Sequence, residues 1–298
     1  MSAERPWHAR ADRPRLAEPG AMWPLTLGGK TAVVTGGGSG MGREIALEYA
    51  AQGARVVVSS NVPEQDEEAA QACRDRGGTA IAVPADVRSE SDVRALVERS
   101  VSEFGSLDVL VAAAGLDVRE SQTREDRHLR LLTLEQWHRV IETNLTGTFL
   151  CARAALGPMI EAGSGSIVTF SSGTVRFPPP GLAAYASSKF AIEGLTKVLA
   201  QEVLEHGVRV NAIQPGGTTD TDFFPVWISA EDRARMHSPS VIRALAVYVA
   251  SDESRFVTGR SLVATEWNKE RGIVLCQCAI CTTPNARLAV EWRGVTAL

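Results

Sequence analysis

The sequence predicts an α/β fold with one doubly wound parallel sheet flanked by helices, and three observations carry that prediction. Short apolar runs alternate along the chain with longer stretches of helical pattern. The apolar runs are near-continuous rather than alternating, as strands are when helices cover both faces of a sheet. The first run leads directly into a glycine-rich loop, Thr35-Gly36-Gly37-Gly38-Ser39-Gly40-Met41-Gly42, that opens a helix.

Taken in order, 31–35 reads as a buried strand, with a helix from the glycine loop through Ala51. Residues 55–59, with three consecutive valines, form a second strand, and 64–76 a helix. A third strand, 80–83, precedes a helix over 89–104. The strand 107–112 is followed by a long helix from about 133 to 160. Residues 166–170, a helix over about 184–205 and a strand over 208–213 complete the series. Repeated βα units of this kind build a parallel sheet with right-handed crossovers.

The chain has 298 residues, 44% hydrophobic and 22% charged, a balance suited to a soluble globular enzyme. No linker or repeat divides residues 28–267, which read as one catalytic domain. Residues 1–27 read as a flexible leader and 268–298 as a tail of separate character. The leader is Arg-rich, interrupted by four prolines, and lacks the apolar stretch of a signal peptide. No apolar run is long enough for a membrane span. A net charge of −4 gives no reason to expect nucleic acid or an anionic membrane as partner. The expected location is cytoplasmic, where the five cysteines stay reduced.

Between a strand and a helix, the glycine loop suits a dinucleotide. Gly36, Gly40 and Gly42 permit the turn and the close approach of backbone N–H groups to a pyrophosphate, and the helix N-terminus favours its charge. Gly38, Ser39 and Met41 complete the predicted contact set; the bland alternative is a glycine turn with no ligand. Downstream, Tyr185 and Lys189 are four residues apart on a predicted helix, hence on one face. A phenol beside a cation is drawn toward neutral pH and can serve as general acid or base. The chain holds only three tyrosines, so the pairing is informative.

The loop spacing, Thr-Gly-x-x-x-Gly-x-Gly, followed by Tyr185-x-x-x-Lys189, resembles the short-chain dehydrogenase/reductase family, and the resemblance runs from about 28 to 267. It includes Ala85-Asp86-Val87, Ala112-Ala113-Ala114-Gly115, Asn144 in Thr-Asn-Leu-Thr-Gly, Ser171-Ser172 at a strand end, and Pro215-Gly216. The resemblance implies a Rossmann-like fold and a catalytic set of Asn144, Ser172, Tyr185 and Lys189. Ser172 would orient the substrate oxygen and Tyr185 move the proton. Lys189 would grip the nicotinamide ribose, and Asn144 would position a relay water. Ser171 is the alternative hydroxyl. The same resemblance places Asp86, Val87, Ala114, Gly115, Pro215, Gly216 and Thr218, together with Tyr185 and Lys189, against the cofactor. It departs from the family at Ala112 and Ala113, where two asparagines are usual, and at 262–266, where a strand usually ends in Asp-Gly-Gly.

Ser60 and Asn61 stand where an acidic residue would select NAD. Neither is acidic, so NADP(H) is expected ahead of NAD(H). Phe177, Phe223, Phe224 and Trp227 are candidate walls for a substrate pocket, with core packing as the alternative. The charged stretch 116–132 borders that region or is solvated. Cys276, Cys278 and Cys281 lie in an apolar run and read as packing residues, and no metal is expected. The resemblance implies interconversion of a ketone and a secondary alcohol by a homo-oligomer, tetramer or dimer. A 3-ketoacyl-carrier reductase and a catalytically silent nicotinamide-binding regulator are the alternatives.

Overall fold

Residues 27–118, 123, 125–223 and 228–273 are described by the structure, a computed structural model. The leader up to residue 26, Phe224, Trp227 and the three tail cysteines lie outside the described residues. The sheet consists of β1 (Thr31–Thr35), β2 (Arg55–Ser59), β3 (Thr79–Ala82), β4 (Val109–Ala112), β5 (Gly165–Phe170), β6 (Val208–Gln214) and β7 (Ser261–Val263). Their order is β3-β2-β1-β4-β5-β6-β7, parallel at every pairing. The helices are α1 (Gly40–Ala51), α2 (Pro63–Arg74), α3 (Glu90–Phe104), α4 (Leu134–Ile141), α5 (Gly147–Glu161), α6 (Ala183–Glu202), α7 (Ala230–Ala234), α8 (Arg243–Ala250) and α9 (Ala264–Glu270).

Consecutive strand residues point to opposite faces, and here both directions are buried. Val34, Val56, Val58 and Val111 pack with Ile45 and Tyr49 of α1 and Leu245 of α8. Val33, Val57, Leu110 and Ile167 pack with Leu96 of α3, Met159 of α5 and Leu199 of α6. Each such side chain contributes about 1.5–3 kcal/mol of burial. This two-sided burial is why the strands are continuous apolar runs. The sheet reverses its winding between β1 and β4, and the crevice at the carboxyl ends of those strands is where such folds bind ligands.

Several boundaries differ from expectation. β4 begins at Val109, and just before it the Asp108 carboxylate accepts the Thr31 N–H at 2.7 Å. The helix expected over 133–160 is α4 and α5 joined by a π-helical segment, Glu142–Thr146, with a capping box between Thr133 and Gln136 at its start. The helix expected to reach 205 ends at Glu202, and a 3-10 turn, Leu204–His206, follows before Gly207 adopts a left-handed backbone. Finally, β7 passes directly into α9 where a glycine pair would otherwise end the strand.

Candidate active site

The glycine loop is shaped by close approaches that leave no room for side chains. A Cβ on Gly36, whose φ is +67°, would lie 2.8 Å from the Cα and N of Ala114. A Cβ on Gly42 would run into the Gly36 carbonyl. Loop, β1 and the segment after β4 therefore press together through bare backbone. Ser39 is the N-cap of α1 but its side chain takes no cap hydrogen bond, and no acidic residue lies in the first turn. The first N–H groups of α1 and its positive end are left for an anionic ligand. These residues fit the pyrophosphate of a dinucleotide: the cradle exists only because glycine fills it. Met41 turns inward against the core.

Across the crevice, α6 carries Tyr185 and Lys189 on one face. Lys189 is buried, and its Nζ donates to the Phe170 carbonyl at 2.8 Å, at the end of β5. The same ammonium lies 5.5 Å from the Tyr185 ring centre. Burial pulls the Lys189 amine down to about 8. Tyr185 is half-buried against Val118, Val140 and Ala184. Burial pushes its phenol up, and the neighbouring Ser172 hydroxyl draws it partly back. The expectation is that the Lys189 cation draws the phenol down; here burial is the dominant influence and the net shift is upward. Ser172 also caps the turn Gly173–Val175. Ser171 faces elsewhere, bonded to Glu193, which also accepts from Ser261 at 2.6 Å. The two adjacent hydroxyls thus have different partners.

Asn144 is fully buried in the π segment. Its Oδ1 accepts the Leu116 N–H at 2.8 Å and its Nδ2 donates to the Leu116 carbonyl at 2.9 Å. A third bond runs from Nδ2 to Ser188 Oγ at 3.1 Å. Leu116 follows Gly115, which approaches both Asn144 Oδ1 and Lys189 Nζ. The π segment therefore carries an amide whose three hydrogen bonds all stay inside the protein. Asn144, Gly115 and Lys189 meet at one point, one residue from Ala114 and the Gly36 contact.

Other predicted residues have different surroundings. Asp86 is held by Arg88 at 2.6 Å, and that guanidinium lowers its carboxyl below the usual range. Val87 is buried, packed where Gly147 leaves space. The Pro215 carbonyl accepts the Thr265 N–H at 3.1 Å, and Gly216 is glycine because Thr265 of α9 fills the space a Cβ would need. Thr218 is exposed, and its carbonyl accepts from His237. Phe223 packs against Tyr185 with the rings tilted by 59° and their centres 5.1 Å apart. Phe177 is 82% exposed and forms no wall. Ser60 and Asn61 lie at the end of β2, as expected. Sequence reading missed Thr265, whose role depends on a helix that the unusual residues 264–266 begin, and Glu193, a carboxylate midway along α6.

Among the described residues, no helix is long and apolar enough to cross a membrane. No cluster of three His, Cys, Asp or Glu side chains among them is placed to hold a metal ion.

A family model described as short chain dehydrogenase matches residues 30–231. The chain is 35% identical over 247 residues to glucose 1-dehydrogenase 2 of Bacillus subtilis, covering 79% of this chain and 93% of that protein. It is 39% identical over 242 residues to a 3-alpha-(or 20-beta)-hydroxysteroid dehydrogenase of Mycobacterium bovis, covering 79% and 87%. A crystal structure from Beutenbergia cavernae, a candidate NAD(P)-dependent gluconate 5-dehydrogenase with NADP at low occupancy, superposes with a TM-score of 0.73 at 34% identity. That match covers 81% of this chain and 97% of the other.

Proposed function

The chain belongs to the short-chain dehydrogenase/reductase family, and from that membership we propose that it interconverts a ketone and a secondary alcohol with Tyr185 as the proton-transferring group. The observation that carries this is the convergence of Tyr185, Lys189, Ser172 and Asn144 on the crevice edge opposite the glycine loop. A nicotinamide dinucleotide held along the loop supplies or accepts the hydride. The protein's own groups handle the oxygen and its proton. Ser172 donates a hydrogen bond to the substrate oxygen, and Tyr185 gives its proton to that oxygen in reduction or removes it in oxidation. A phenol kept protonated by burial is poised to donate. Lys189, with an amine lowered to about 8, is poised to return a proton at slightly alkaline pH. Asn144 positions the Leu116 backbone and the Lys189 surroundings rather than touching substrate.

Relatives named for glucose and hydroxysteroid substrates support a secondary alcohol as substrate class. Phe223, packed at a tilt against Tyr185, makes the near wall apolar. On Ser60 and Asn61 alone, NADP(H) is favoured over NAD(H). Exposed apolar residues on α5 and α6, among them Phe149, Ile160, Phe190 and Val198, support a homo-oligomer; light scattering giving a monomer's mass removes that reading. The central test is Tyr185→Phe. Turnover should fall by about 10³-fold or more while cofactor affinity, read by fluorescence titration, stays within about twofold. Retained turnover removes Tyr185 from the mechanism.

A further inference from the structure

The inner face of α2 carries one acidic residue. Asp66 heads a stripe with Ala69, Ala70 and Cys73, every member of it buried. Asp66 itself is 0% exposed. Its Oδ2 accepts the Ser60 backbone N–H at 2.6 Å, whereas Oδ1 has no partner. Buried carboxylate oxygens without a donor are costly and call for a reason. The surroundings supply one. A Cβ on Gly38 would lie 2.8 Å from Asp66 Oδ1, so the carboxylate is wedged between the end of β2 and the middle of the glycine loop. In a doubly wound sheet those two segments flank the adenosine ribose of a dinucleotide.

We propose that Asp66 selects the cofactor, disfavouring the 2′-phosphate of NADP(H) so that the chain uses NAD(H). The inference rests on the dinucleotide reading above and reverses the preference expected from Ser60 and Asn61. The acidic group that β2 lacks is delivered instead from the first turn of α2. A 2′-phosphate brings one to two further negative charges to this edge, and neither 36–42 nor 59–62 contains a basic residue to balance them. The N-terminus of α2 would otherwise welcome an anion, but Glu64 and Asp66 offset its positive end. The Ser60 N–H, a donor that a phosphate could have used, is spent on Asp66. Free ribose hydroxyls are neutral donors and meet no such opposition.

The test titrates the purified protein with NADH and NADPH separately by fluorescence, and displaces bound NADH with ADP or with its 2′-phosphorylated isomer, adenosine 2′,5′-bisphosphate. The expected wild-type ratio of Kd for NADPH to Kd for NADH is about tenfold or more. In Asp66→Asn, which keeps the shape and removes the charge, that ratio falls by about tenfold, mainly through tighter NADPH binding. Asp66→Leu, which continues the apolar stripe, is the second variant if the amide impairs folding, and its ratio should fall likewise. A wild type that prefers NADPH overturns the proposal, as does an unchanged ratio in a variant with wild-type Tm. That second outcome would mark Asp66 as a structural closure of β2. A wild type that binds neither nucleotide overturns the dinucleotide reading itself, a separate failure.

Discussion

In the function proposed above, the β1–β3 side of the crevice works through backbone amides, with side chains kept out, and the β4–β6 side through side chains mounted on helices. Gly36, Gly38 and Gly42 each touch a neighbour so closely that a single methyl would collide. Tyr185, Lys189, Ser172 and Asn144 each depend on the atoms that distinguish them from alanine. The lesson is that the two sides fail differently. The first should fail by shape, losing packing and ligand together. The second should fail by chemistry, with the fold left standing.

The largest expected effect is the loss of turnover in Tyr185→Phe, with binding preserved. Its counterpart is Gly42→Ala. The added methyl meets the Gly36 carbonyl, which cannot move without shifting the whole loop. Overpacking of this kind costs about 1–3 kcal/mol, and the displaced amides lose the pyrophosphate. Gly42→Ala should therefore lower Tm by several degrees and weaken NADH and NADPH binding equally, by about tenfold or more. Intact cofactor affinity in Gly42→Ala would break the contrast, because the loop would then not work through its bare backbone.

The same difference explains what could be read from the sequence. The glycine loop was legible because exclusion leaves a local pattern: glycine at fixed positions between an apolar run and a helix. The strands were legible because both faces are buried, so Val56, Val57 and Val58 need no alternation. Tyr185 and Lys189 were legible as an i, i+4 pair. Other features depend on contacts far apart in the chain. The π segment that turns Asn144 toward Leu116 has no local signature, since nothing in Glu142–Thr146 announces an extra residue per turn. The sequence reading places Gly216 against the cofactor through a resemblance, and only the fold puts Thr265 of α9 where its Cβ would be. Asp66 left a faint trace, an acidic residue at helical spacing from Ala69, Ala70 and Cys73, but only the fold brings it under Gly38. Phe177 shows the converse: an aromatic beside a proline run reads as a wall and stands in solvent.

A subtler way to sharpen the comparison uses pH. The Lys189 amine, ordinarily near 10.5, is lowered to about 8 by burial. Below about pH 8 both folded and unfolded chains hold its proton, so it contributes no slope. Between about 8 and 10.5 the unfolded chain holds the proton and the folded chain releases it, so this residue makes stability rise with pH. The steepest contribution is about 1.4 kcal/mol per pH unit. Buried thiols act in the opposite direction over the same range, because burial pushes Cys73 up to about 11 and Cys151 to about 12. The informative quantity is therefore the difference between wild type and Lys189→Met in urea denaturation at pH 8 and pH 10. The wild type should gain stability relative to the variant across that interval, whereas Gly42→Ala should track the wild type in slope while remaining less stable throughout. Parallel curves for wild type and Lys189→Met would mean that the amine stays hydrated and charged in the folded protein. The proton return assigned to it at slightly alkaline pH would then have to come from another group.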